Sequence, residues 1–225
     1  MLAISVLAGC TTPAPQRGQP ADSQAYLALG DSYTIGEGVA PEERWPVQLA
    51  QALRSDGIAL DDPRIIATTG WTTDALDAAI DAARPADDYG LVSLLIGVNN
   101  QYRGRSADEY QHAFAALLER AIGLAGGRTD RVLVLSIPDW GVTRFGRESG
   151  RDRVAIAREL DAYNAAARGI CAAHGVAFVD ITEVSRAHGA EPAMLVDDGL
   201  HPSAAMYAQW TQLALPVAHR LLAPR

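Results

Sequence analysis

Five short apolar runs, each followed by a polar loop and then residues at helical spacing, constrain this chain more than any other feature. They fall at residues 26–29, 64–67, 91–96, 131–137 and 176–181. The middle run, Leu91-Val92-Ser93-Leu94-Leu95-Ile96, is nearly continuous, as expected of a central parallel strand covered on both faces. Between the runs lie helical patterns. Trp45, Leu49 and Leu53 share one side of a segment that Gly57 ends. Thr72 or Thr73 can cap a helix reaching about Arg84, and Ser106 one ending near Gly126-Gly127. Further helices are expected over residues 152–174, stopped by Gly175, and from Ser203 to about Leu222, with Pro216 as a kink. Alternation of this kind predicts an α/β fold: a five-stranded parallel sheet with helices on both faces.

In such a sheet, ligands gather at the loops that follow the strands. The first of these loops, Gly30-Asp31-Ser32-Tyr33-Thr34-Ile35-Gly36-Glu37-Gly38, is polar and rich in glycine, and it displays Ser32. It is not a Walker A loop, which ends in Gly-Lys-Ser/Thr, because the chain contains no lysine. Nor is it the Gly-x-Ser-x-Gly elbow, because Thr34 stands where the second glycine would be. A serine hydroxyl is a weak nucleophile and needs a base. The turn before the closing helix supplies one in Asp197-Asp198-Gly199-Leu200-His201-Pro202. Spacing of i, i+3 lets the Asp198 carboxylate accept from one imidazole nitrogen of His201 while the other faces Ser32. Asp197 competes for that orienting role, and a metal held by Asp197, Asp198 and His201 lacks obvious further ligands. Donors for an oxyanion are the Ser32 and Gly70 amides and the Asn99 side chain, each following a successive strand.

Four blocks, Gly30-Asp31-Ser32, Gly70, Gly97-Val98-Asn99 and Asp198-Gly199-Leu200-His201, resemble in order those of the SGNH (GDSL) hydrolases. The resemblance runs from about Ala25 to Leu222. It implies a flavodoxin-like three-layer α/β/α sandwich and a serine ester hydrolase without cofactor or metal. It also implies that Ser32 is the nucleophile, His201 the general base and acid, and Asp198 the orienting carboxylate. Gly70 and Asn99 would complete an oxyanion hole with the Ser32 amide. The family commonly carries an acid where this chain has Asn100, so what that position organises is open. Expected substrates are small-molecule or carbohydrate esters with short to medium acyl groups, with lysophospholipase, thioesterase or non-catalytic ligand binding as alternatives.

Tyr33, Trp71, Tyr102, Arg103 and Trp140 follow strand ends and are expected to line a substrate cleft. Arg105 could meet an anionic group, Asp31 has a structural hydrogen-bonding role, and Trp45 and Trp210 belong to the core. Cys171, in a helical pattern, reads as a small buried hydrophobe.

A net charge of −8 argues against nucleic acid as a partner. No apolar run reaches the ~20 residues of a spanning helix. Residues 1–10, ending Leu7-Ala8-Gly9-Cys10, resemble the end of a bacterial lipoprotein signal, although no basic residue precedes them. That resemblance implies lipidation of Cys10 and a place in the cell envelope or outside the cell, with the membrane met only through that anchor. Residues 1–24 are then signal and flexible tether, and residues 25–225 a single catalytic domain acting as a monomer.

Overall fold

A computed structural model describes residues 23–223. The expectations for residues 1–22, including Cys10, lie outside the described residues.

Strand β1 (Tyr26–Gly30) is fully buried and leads directly into a single helical turn, α1 (Ser32–Ile35). Helix α2 (Trp45–Ser55) returns to β2 (Arg64–Ala67), and α3 (Thr73–Ala83) returns to β3 (Leu91–Leu95). A second short helix, α4 (Val98–Tyr102), follows β3 and is succeeded by α5 (Ala107–Leu124) and β4 (Val132–Leu135). The chain continues through α6 (Arg144–Glu148), α7 (Arg153–His174), β5 (Ala177–Val179), α8 (Thr182–His188) and α9 (Ala204–Leu222).

All four strand pairings are parallel, in the order β2-β1-β3-β4-β5. Helices α2 and α9 pack together, as do α3, α5 and α7, so the sheet is the middle of three layers, as expected. The burial pattern explains the apolar runs: every residue of β1, β3 and β4 is buried, which a strand sandwiched between helices requires. Ser93, the polar residue in β3, is satisfied by the Tyr26 hydroxyl at 3.0 Å. Trp45, Trp210 and Cys171 are in the core, and burial pushes the Cys171 thiol up to about 12, so it is inert as a nucleophile.

Several ends differ from expectation. The fourth and fifth ladders are shorter than their apolar runs, 132–135 and 177–179, because the Asn164 side chain takes both backbone groups of Ile137 and Ser136 Oγ takes the Ile181 N–H. The loops after β1 and β3 each hold a short helix, and residues 141–150 and 182–194 hold short helices and 3-10 turns. Of the caps placed on the sequence, Thr72 stands at the N-cap of α3 but makes no capping bond, its hydroxyl donating to Asp74 Oδ1 at 2.6 Å, whereas the others are realised. Ser106 Oγ accepts from Glu109 N–H at 3.1 Å, Asp152 caps α7, and Gly175 ends it in the left-handed conformation.

The strand order fixes where a site can form. From β1 the chain steps outward to β2, then crosses back to β3 on the other side of β1. Loops leaving β1 and β3 therefore part at the C-terminal edge and leave a crevice between them.

Candidate active site

Ser32 is the first residue of α1, at the end of β1 in that crevice. Asp31 holds the turn: its Oδ1 accepts from the Tyr33 N–H at 3.1 Å, an N-cap that starts the helix at the serine. The rest of Asp31 is enclosed, with Oδ2 unpartnered among the described residues, and burial pushes its carboxyl up to about 7. The structural role expected of Asp31 is present, at the cost of a carboxyl held in an apolar setting.

His201 and Asp198 come from the turn before α9. His201 Nδ1 lies 2.6 Å from Asp198 Oδ2, while Asp198 Oδ1 accepts from the Leu200 and His201 N–H groups at 2.8 and 3.0 Å. One carboxylate thus fixes both the turn and the ring. Partial burial would raise the Asp198 pKa, but the His201 ring and the two N–H bonds outweigh it and hold the group below the ordinary carboxylate value. Asp197, the competing acid, makes no bond to the ring; its carbonyl is used instead, as acceptor for Arg144. With Nδ1–H given to Asp198, Nε2 of a neutral ring is free to act as a base. The His201 ring is 11% exposed and tilts over Tyr33 with ring centroids 5.8 Å apart.

Two further loops complete the edge. Trp71 N–H returns to the Thr68 carbonyl at 3.2 Å, closing a turn in which Gly70 has φ +83°, a type II position that a side chain would strain. Neither Gly70 N–H nor Ser32 N–H has a backbone acceptor among the described residues. Asn99, on α4, donates one amide N–H to the Trp71 carbonyl at 2.9 Å, which leaves its second N–H unspent.

Ser32, Gly70, Asn99 and His201 line one cavity of about 210 Å³. Its remaining wall is mostly apolar: Tyr33, Val98, Tyr102, Trp140, Phe145 and Leu200, with Thr69. Tyr102 is half exposed and stands edge-on to buried Trp140 at 5.4 Å, and Arg151 lies against both rings. No hydrogen bond joins Ser32 Oγ to His201 among the described residues; such bonds often tighten only around substrate.

Tyr33, Tyr102 and Trp140 thus meet the cavity as expected, whereas Trp71 and Arg103 do not. Trp71 packs against the core and offers only its carbonyl, to Asn99. Arg103 is spent on the Gly70 carbonyl at 2.7 Å, bracing the turn from outside, and Arg105 is paired with Asp74 at 2.6 Å. Phe145 and Leu200 were not singled out on the sequence. Leu200 had a visible signal, being the residue beside His201; Phe145 lies in a helix too short to show periodicity.

Asn100 has a definite task. Its Oδ1 accepts the Thr73 N–H at 3.0 Å and its Nδ2 donates to Thr73 Oγ1 at 2.7 Å, tying the start of α3 to α4 beneath the cavity. An amide satisfies a donor and an acceptor here at once, without a buried charge.

A doubly wound α/β sheet with a hydroxyl, an imidazole and a carboxylate at its carboxyl edge defines the serine-hydrolase class of site. A family model described as the GDSL-like Lipase/Acylhydrolase family matches residues 28–209. The chain belongs to that family and is an esterase or acylhydrolase of the GDSL type, as the four blocks implied. No curated protein matches the chain in sequence. Solved structures that share the fold include TesA, at 22% identity and a TM-score of 0.67, covering 88% of this chain and 100% of that one. The psychrotrophic esterase EstA from Pseudoalteromonas sp., inhibited by monoethylphosphonate, matches at 15% identity and 0.64, covering 89% and 99%. Axe2, an acetyl xylan esterase from Geobacillus stearothermophilus, matches at 21% and 0.62, covering 90% and 97%.

Proposed function

We propose that this chain hydrolyses short- to medium-chain acyl esters through an acyl-enzyme on Ser32, with an acetylated carbohydrate as the substrate class. The observation that carries the reading is the convergence of Ser32, His201, Gly70 and Asn99 on one small cavity, with Asp198 holding the far nitrogen of His201.

In the reaction, Ser32 Oγ attacks the ester carbonyl carbon and His201 Nε2 takes its proton. The carbonyl oxygen, now an oxyanion, receives the Ser32 and Gly70 N–H groups and the unspent N–H of Asn99. The tetrahedral intermediate collapses, the C–O bond to the alcohol breaks, and His201 returns the proton to the departing alkoxide. Water then attacks the acyl-enzyme, losing its proton to His201, and the second collapse releases the acid and restores Ser32. Asp198 keeps the proton on Nδ1 throughout and stabilises the imidazolium.

A short acyl group is supported by size. About 210 Å³ is less than the 300–1,000 Å³ of sites that hold a drug-sized ligand. Tyr102, half exposed on the cavity wall, leaves part of its ring open to a sugar beside the Arg151 guanidinium. Turnover of p-nitrophenyl esters from acetate to palmitate, beside acetylated xylooligosaccharides, tests the assignment. A profile peaking at or below about butyrate, with acetate released from the oligosaccharide, is expected. Preference for the longest chains would replace it with a lipase- or lysophospholipase-like reading. We further propose that Cys10 anchors the protein to an envelope membrane; Cys10→Ser should then move it from the membrane fraction to the soluble one.

A further inference from the structure

We infer that Arg144 is a positioning residue for the reaction: it clamps the turn that carries Asp198 and His201 and so holds the base in register with the serine. The inference rests on the hydrolase reading above. Arg144 opens α6, a helix of five residues lying over the catalytic turn. Three contacts join the two. The Arg144 guanidinium donates to the Asp197 carbonyl. The next backbone N–H, that of Phe145, donates to the Gly199 carbonyl at 3.0 Å. Finally, the guanidinium packs closely against Gly199: a Cβ there would stand 2.8 Å from Nη2 and 2.9 Å from Cζ, and nearer still to Nε.

The turn needs such a brace. Asp198 is 43% exposed in its side chain, although its partner ring is buried. Within the turn, Val196 N–H bonds the His201 carbonyl at 2.9 Å and Gly199 N–H the Val196 carbonyl at 2.9 Å. Those bonds fix the shape of the turn. Helix α6 joins the turn to the aromatic wall of the cavity on one side, because Phe145, the residue after Arg144, is itself part of that wall, while the His201 ring meets Tyr33 on the other. Gly199 has φ +71° and is buried under the guanidinium, so the glycine between acid and base serves two needs: the left-handed turn, and room for Arg144. Arg144 makes no bond to a carboxylate among the described residues, so its guanidinium is committed to this turn. A planar guanidinium can lie on a glycine and donate sideways to a carbonyl; an ammonium cannot do both.

The test compares Arg144→Ala and Arg144→Lys with the wild-type domain. Arg144 is exposed, so both variants should fold, with Tm values close to wild type. For Arg144→Ala, kcat on p-nitrophenyl acetate should fall between about 10- and 100-fold, the range expected when a reacting group is displaced by up to an ångström. KM should stay within about twofold, because the clamp touches no substrate. Arg144→Lys should recover part of kcat, and millimolar guanidinium should restore part of the Arg144→Ala rate. Proton NMR adds a readout that needs no turnover. The His201 Nδ1–H proton shared with Asp198 should give a sharp, strongly downfield line in the wild type that broadens or vanishes in Arg144→Ala. Unchanged kcat, or a downfield line equally sharp in both proteins, would overturn the inference. If the wild type turned over no ester at all, the hydrolase reading would fail by itself, and the NMR line would still decide the clamp.

Discussion

Asp31 should make this protein less stable as pH rises through the weakly acidic range, and Asp31→Asn should remove that loss. The carboxyl is fully buried beside the nucleophile, and burial lifts its pKa from the ordinary 3.8 to about 7 in the folded chain. In the unfolded chain it ionises near the ordinary value. Between pH 4 and 7 the folded state therefore binds more protons than the unfolded state, and stability falls with rising pH. At 1.36 kcal/mol per pH unit, the gap amounts to roughly 4 kcal/mol, fully lost above pH 7, where the carboxyl ionises in both states. Asparagine keeps the oxygen that accepts the Tyr33 N–H and carries no charge to bury. Urea unfolding of both proteins from pH 4 to 8 isolates the effect, because every other titrating group is common to the two. The stability difference should grow in favour of Asp31→Asn by roughly 4 kcal/mol across that range, equivalent to roughly 8 to 16 °C in Tm. A difference that stays flat within about 1 kcal/mol, or a variant less stable at pH 8, would refute the argument from burial.

Four other outcomes follow from the geometry. Asn99→Ala removes one of the three oxyanion donors and should cost about 10²- to 10³-fold in kcat with little change in KM, read by steady-state kinetics. Asn100→Ala strands the Thr73 N–H at the start of α3 and should cost about 1–2 kcal/mol in denaturant unfolding. Asn100→Asp, placing a carboxylate at a helix N-terminus, should keep kcat within about threefold. Arg186→Met leaves Asp139 buried without its guanidinium partner at 3.0 Å and should destabilise the fold by about 3 kcal/mol in the same assay.

The parts of this architecture legible in the sequence are those written over many residues or in strict local chemistry. Strands β1, β3 and β4 are buried on both faces, so they could only be apolar runs. Helix α7 spans 22 residues between Asp152 and Gly175, long enough for its period and both caps to show. Ser32, Asp198 and His201 were legible because the chemistry demands those residue types after a strand and before a helix. The short helices were not. A turn such as α1 or α4 has four or five residues, fewer than two periods of a pattern; α1 is started by one local bond, Asp31 Oδ1 accepting from the Tyr33 N–H, and α4 is tied through Asn100 to Thr73 of α3. Trp71 and Arg103 misled for a related reason. Position after a strand end brings a residue to the crevice, but only side-chain direction decides whether it faces the cavity. Trp71 turns to the core and Arg103 to the Gly70 carbonyl. The use of Asn100 also needed the structure, since Thr73 lies 27 residues away in sequence.

Reaction with a fluorophosphonate, followed by intact mass and peptide mapping, tests the central claim most directly. The reagent forms a stable ester with an activated serine and mimics the tetrahedral intermediate. One adduct per chain is expected, mapped to Ser32, with none on Ser32→Ala and much slower labelling of His201→Ala. An adduct on another residue, or equal labelling of Ser32→Ala, would contradict the account of Ser32 as the nucleophile.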